Sequence, residues 1–248
     1  MNSNNKIPLY GFNNLTKSLS FSLYRVHYLP SNQANSDYTT YINQTYSSES
    51  LEIMLTKICH AIGGNVLNIA SQNYTPQGAS VTLMISEEAK PESLVAHLDK
   101  SHLCIHTYPE ETAHENIAIF RADIELSTCG VISPLKVLDY VIEAFSADIV
   151  DIDYRVRGMT RDQQGRKYFN DHNITKISDH LTKSTLKKYR IHDSTMTTHN
   201  LFHCKLGRQA IELKQHIFTL DEHPIDYQNE AQIKAQINAE LTELFTGK

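Results

Sequence analysis

The strongest constraint on the fold is a two-residue alternation within AIFRADIELST, residues 118–128. Phe120, Ala122, Ile124 and Leu126 alternate with Arg121, Asp123, Glu125 and Ser127. That is the period of a strand with one face buried and the other wet. DIVDIDYRVRG repeats it, with Val150, Ile152, Tyr154 and Val156 on one side and Asp151, Asp153, Arg155 and Arg157 on the other. Those four charges read as a solvated face carrying cross-strand pairs. FNNLTKSLSFSLYRVHYL suggests an early strand around Phe21, Leu23 and Val26, though its alternation is imperfect. NVLNIA, SVTLMIS after the turn TPQGAS, LVAHLDKSHLCIHTY after the polar connector EEAKPES, and NLFHCKL are further strand expectations.

Helical spacing marks residues 48–62 through Leu51, Met54, Leu55, Ile58 and Ile62, with Gly63-Gly64 as the stop. Ser133-Pro134 reads as an N-cap and first helical turn before Leu135, Leu138, Val141, Ile142 and Phe145. Helices are also expected over 175–189 and over 229–245, the latter with Ile233, Ile237, Leu241, Leu244 and Phe245 as its apolar face. The expected class is α+β: a largely antiparallel β-sheet covered by helices.

Composition narrows the function. A net charge of −5 argues against a nucleic-acid binder working through a broad basic face. No apolar run approaches the roughly 20 residues that span a bilayer, so no membrane partner is expected. MNSNNKIPLYGFNN carries no charged-then-apolar signal pattern. Cys59, Cys104, Cys129 and Cys204 are scattered without a CxxC pair, which disfavours structural zinc. Free thiols in a reducing cytoplasm are the expectation.

The chemistry concentrates in HLDKSHLCIHTYPE, His97 to Glu110. The Ser101 hydroxyl can attack the Lys100 carbonyl and turn the peptide bond into an ester, given donors for the oxyanion. A base then removes the serine Hα; His102 and His106 are candidates because imidazole titrates near neutrality. Elimination leaves dehydroalanine, which hydrolyses to a pyruvoyl group and ammonia. A pyruvoyl ketone forms a Schiff base with a substrate amine and accepts electrons as carbon dioxide leaves. Cys129, in STCG, can return the proton. His97 and His102 read as ordinary strand histidines, Cys104 as buried packing and Asp99 as a loop-holding residue. His172, His180, His192, His199 and His203 show no ligand spacing.

GFNNLTKSLSF, NVLNIA, PQGASVT, HLDKSHLCIHTYPE, FRADIELSTCGVISPLK and DIDYRVRGMTRD, in this order over residues 10 to about 162, resemble the S-adenosylmethionine decarboxylase family. The resemblance is to its longer bacterial branch, which has lysine before the cleaved serine where compact relatives have glutamate. It implies an α/β sandwich of that family's type, with a pyruvoyl decarboxylase core over 1–162 and a C-terminal extension over 163–248 packed on it. It implies cleavage between Lys100 and Ser101, giving a β chain 1–100 and an α chain 101–248, with Ser101 becoming the pyruvoyl group. His106 is then the processing proton acceptor, Ser80 assists processing and Cys129 is the proton donor in decarboxylation. Glu110 would hold the ribose hydroxyls of the substrate, and Tyr74 would stack on its adenine and attract its sulfonium. Mg²⁺ is an expected activator with no ligands identifiable here.

The implied reaction converts S-adenosylmethionine to its decarboxylated form and carbon dioxide, for spermidine synthesis. Two rival readings are a pyruvoyl-dependent decarboxylase of arginine or ornithine, and an unprocessed, non-catalytic subunit. Ser101 and His106 lie five residues apart, about 16 Å on a continuous strand and on opposite faces. A homo-oligomer of cleaved protomers, dimer or higher, would let His106 and Ser80 act on a partner's Ser101. A wall supplied by the C-terminal third is the alternative.

Overall fold

The computed structural model describes residues 13–86, 101–110, 114–130, 132–218 and 227–248. In chain order the elements are β1 (Thr16–Tyr28), α1 (Asn32–Thr45), α2 (Ser48–Ile62), β2 (Asn65–Asn73), β3 (Ala79–Ser86), β4 (His102–Pro109) and β5 (Ile117–Cys129). A 3-10 turn (Pro134–Val137) leads into α3 (Leu138–Ala144), followed by β6 (Ile149–Arg157) and the two-residue strands β7 (Thr160–Arg161) and β8 (Lys167–Tyr168). A second 3-10 turn (Ile177–His180), α4 (Lys183–Lys188), β9 (Tyr189–Met196), a third 3-10 turn (Thr197–His199), β10 (Leu201–Arg208), α5 (Leu213–His216) and α6 (Tyr227–Thr246) complete the order. Among the described residues no helix is long and apolar enough to cross a membrane.

Eight strands form one sheet in the order β2-β3-β4-β5-β1-β6-β10-β9, every neighbouring pair antiparallel. This is the α+β sheet-and-helix arrangement that the alternation implied. One face packs Leu19, Phe21 and Leu23 of β1, Ile124 and Leu126 of β5 and Ile152 and Tyr154 of β6 against α1, α2 and α3. Gly63, at φ 93°, closes α2 as expected, because the left-handed conformation costs glycine little.

The second face is polar and mostly open. Helix α6 covers only one end of it, burying Ile233, Ile237 and Leu241 against Val26, Ile117 and Ile149. That explains the imperfect alternation of β1. Val26 points away from Phe21 and Leu23 yet is buried, because a second, smaller core lies on its side of the sheet.

Several local expectations need correction. Ser133 makes no capping hydrogen bond; its hydroxyl is buried, and the segment begins as a 3-10 turn before α3. The single helix expected over 175–189 is two short pieces. Leu181 is extended, and Thr182 starts α4 by accepting from Thr185 N while donating its own N–H and hydroxyl to Asp139. Tyr189 then opens β9, an edge strand that periodicity did not reveal. Helix α1 was also missed. Its buried positions, Ala34, Tyr38 and Ile42, are spaced by four in a polar segment, and Ser31 caps it. The connector EEAKPES and the first part of LVAHLDKSHLCIHTY lie outside the described residues, so β4 is seen from His102 onward.

Candidate active site

Antiparallel register sorts the open face into rows running across the sheet. Cys129, Thr16 and Arg157 form one row, and His102, Ser127, Ser18 and Arg155 the next. Cys104, Glu125, Ser20 and Asp153 come third; Ser80, His106, Asp123, Ser22 and Asp151 come fourth. Successive rows stand about 6.7 Å apart, two residues of strand rise.

The candidate acid, Cys129, lies in the first row, and the candidate nucleophile, Ser101, stands against it. Ser101 Oγ lies 3.3 Å from Cys129 Sγ, and Ser101 is only 4% exposed. The Ser101 carbonyl accepts a hydrogen bond from Ile85 N at 3.2 Å. Lys100, on the other side of the expected cleavage, lies outside the described residues, as do His97 and Asp99. Ser101 stands at the entry of β4: the pairing of β4 with β5 starts at His102, and the burial of Ser101 continues the alternation of Leu103 and Ile105. Its hydroxyl meets Cys129, which shares the open face with His106. What separates Ser101 from His106 within a protomer is length, about 17 Å of strand.

Beneath this row lies a feature that motif reading passed over. Lys17, register partner of Thr128, points into the core and is fully buried. Its ammonium pairs with Asp171 Oδ2 at 2.6 Å, and Asp171 Oδ1 meets His172 Nδ1 at 2.7 Å. Burial alone would raise the Asp171 carboxyl, but the His172 hydrogen bond and the Lys17 charge outweigh it and hold the pKa at about 2. The available signal was a lysine on the same parity as Leu19, Phe21 and Leu23. Its partner was unreadable because it lies 154 residues away.

The other predicted residues gather at the far end. Tyr74 OH donates to Ser80 Oγ at 2.8 Å, and Ser80 stands across from His106 in the β3–β4 register. The His106 and Tyr108 rings stack at 6.4 Å, and the Arg121 guanidinium lies 5.2 Å from the Tyr108 ring. Glu110 follows β4; its Oε2 accepts from Ile119 N at 2.7 Å. Tyr74 is 40% exposed and Glu110 is also exposed. One protomer therefore brings Ser101 and Cys129 together, brings Tyr74, Ser80 and His106 together, and keeps the two groups apart.

Between them, burial raises the Glu125 carboxyl against the hydrogen bond from Ser20 and the His102 charge. Cys104, expected as buried packing, is instead half-buried on the open face, where burial and then the Glu125 charge push its thiol up. Among the described residues no group of three or more His, Cys, Asp or Glu could hold a metal ion.

A family model described as S-adenosylmethionine decarboxylase matches residues 42–158. The chain is 43% identical to the S-adenosylmethionine decarboxylase proenzyme of Pseudoalteromonas translucida (strain TAC 125), covering 98% of this chain and 96% of that one. It is 45% identical to the proenzyme of the same name from Alkaliphilus oremlandii (strain OhILAs), with the same coverage. Among solved structures it is similar to a crystal structure of Trypanosoma brucei AdoMetDC-delta26 monomer, at 15% identity and a TM-score of 0.43, over 78% of this chain and 66% of that chain. That overlay is too loose to bear on the fold, which stands on the strand register.

Proposed function

The chain belongs to the S-adenosylmethionine decarboxylase family, and from that membership we propose how its residues divide the work. It is a carboxy-lyase that converts S-adenosylmethionine to S-adenosylmethioninamine and carbon dioxide. The family is pyruvoyl-dependent, and Ser101 is the proposed source of the group. Its Oγ attacks the Lys100 carbonyl carbon, the C–N bond breaks, and residue 100 is held as an ester. Removal of the Ser101 Hα expels that ester oxygen as the new carboxylate, and hydrolysis of the remaining dehydroalanine releases ammonia. The pyruvoyl ketone supplies the electron sink for decarboxylation.

The observation that carries this reading is the 3.3 Å contact between Ser101 Oγ and Cys129 Sγ. The residue that becomes the sink touches the thiol that is to return a proton to the decarboxylated carbon. Burial of Ser101 keeps water from competing for that carbanion. His106, with Ser80 beside it, is the processing base. At about 17 Å along the strand it is out of reach of its own Ser101, so it serves the Ser101 of a second protomer. Tyr74 and Glu110, on the His106 side, bind the adenosyl end of the substrate. Glu110 spends Oε2 on Ile119 N and keeps Oε1 for the ribose hydroxyls.

Denaturing mass spectrometry tests the core of this. The wild-type chain is expected as two fragments split between residues 100 and 101, with a pyruvoyl terminus on the larger. Ser101→Ala is expected as one intact chain that releases no carbon dioxide from S-adenosylmethionine. A full-length wild-type chain that still decarboxylates would refute the reading. Parallel assays with arginine and ornithine are expected to give no release.

A further inference from the structure

The end of the sheet away from Ser101 holds a concentration of positive charge that the decarboxylation does not use. Asp148, fully buried just before β6, accepts on Oδ1 from Arg25 Nη1 at 3.0 Å and from Arg208 Nε at 2.8 Å, and on Oδ2 from Val26 N at 2.9 Å. His216, also fully buried, turns Nε2 to Asp148 Oδ1 at 3.2 Å and Nδ1 to the Glu212 carbonyl at 2.9 Å. Both of those oxygens only accept, so both ring nitrogens carry hydrogen and the ring is a cation. One carboxylate therefore answers three positive groups, an imbalance that burial makes costly.

A cavity of about 600 Å³ opens against this cluster. Arg25, only 7% exposed, shares the parity of Leu19, Phe21 and Leu23, which puts the cavity on the helix side of the sheet, away from the open face. Arg208 lines it too, with Lys187 and Lys188 from the end of α4. The structural duties of Arg208 occupy Nε and Nη2, which reach Asp148, the Ser146 and Ala147 carbonyls and the Tyr189 hydroxyl. Among the described residues its Nη1 has no partner, and neither Lys187 nor Lys188 has an ion pair. Glu143 and Glu212 also line the cavity, but both are exposed, where water screens them. Glu212 Oε2 is further engaged by Gln215 Nε2 at 2.6 Å.

We propose that this cavity binds a phosphoryl group, as free phosphate or as the phosphate of a small ester. An arginine fork and two ammonium groups, set on different elements, suit a dianionic tetrahedral oxyanion. A monocarboxylate would offer them only two oxygens and a single charge. Ile142 and Tyr189 add apolar wall, and the volume lies in the range that encloses a small organic ligand. Arg25 stands nine residues along β1 from Thr16, which shares the Cys129 row, or about 30 Å of strand. The ligand is therefore distinct from the substrate held at Ser101, and the assignment does not depend on how the catalytic residues divide their work.

Isothermal titration calorimetry of the enzyme as purified tests this with inorganic phosphate, glucose 6-phosphate and, as a control, glucose. A phosphoryl compound is expected to bind saturably at one site per chain, and glucose not at all. Lys187→Gln with Lys188→Gln should weaken that binding by about tenfold or more, through the loss of charge-assisted contacts, with carbon dioxide release unchanged. Gln209→Glu, which adds a carboxylate to the cavity wall, should weaken it as well. Lys183→Gln, on the same helix but outside the cavity, should bind as wild type does. Tighter binding of glucose 6-phosphate would identify an ester as the occupant, and tighter binding of phosphate the free ion. No saturable binding of either, an equal loss in Lys183→Gln, or unchanged binding in both cavity variants would overturn the proposal.

Discussion

At the scale of single residues, two pairs matter. Ser101 and Cys129 meet at 3.3 Å, and the proposed function gives them different duties. Cys129→Ala should therefore leave cleavage intact, seen as two fragments by mass spectrometry, while lowering carbon dioxide release by about 10²–10⁴-fold. Lys17 and Asp171 are a buried ion pair beneath them. Lys17→Met strands a buried carboxylate and is expected to cost about 3–5 kcal/mol in urea unfolding, whereas Lys17→Met with Asp171→Leu should recover most of that loss. The folded Asp171 carboxyl is held at about 2, below the usual carboxylate value. Its stabilisation is complete above about pH 4 and is lost as pH falls toward 2, on the order of 2 kcal/mol. Asp171→Asn should flatten that part of the stability–pH curve.

Among the elements, legibility followed locality. Helix α2 and strands β5 and β6 were readable because their pattern lies in contiguous residues; β5 and β6 give only their ends, at Ile117 and Ile149, to the second core. Strand β1 was blurred because two cores claim it, one on each face. Strand β9 was unreadable because it is an edge whose side chains are largely exposed, so burial imposes no alternation on it. The end of β6 depends on Gly158. It sits at φ +87°, where an added Cβ would lie 2.4 Å from the Asn14 backbone oxygen. Met159 N donates to Asn14 Oδ1 there, joining the start of β1 to the end of β6. Gly158→Ala is expected to destabilise the fold by more than about 1 kcal/mol, measured as a lower urea midpoint at unchanged slope.

For the whole molecule, the proposed function divides the site into two half-sites, Ser101 with Cys129 and His106 with Ser80, each completed by a partner chain. Mixing Ser101→Ala chains with His106→Ala chains tests this directly. Neither should cleave itself separately, but after subunit exchange the His106→Ala chains should be cut, using the His106 of their partners. A mixture in which no chain is cut would mean that the base acts within its own protomer. By itself the sequence determined the α+β class, the main strands, and the residue types around Ser101. Those follow from local periodicity and from motifs whose residues are close along the chain. Tertiary structure decided that Cys129 reaches Ser101, that Lys17 answers Asp171, and that His106 is held a strand's length away. These depend on register between segments far apart in the chain, where a shift of one residue would turn every side chain to the other face.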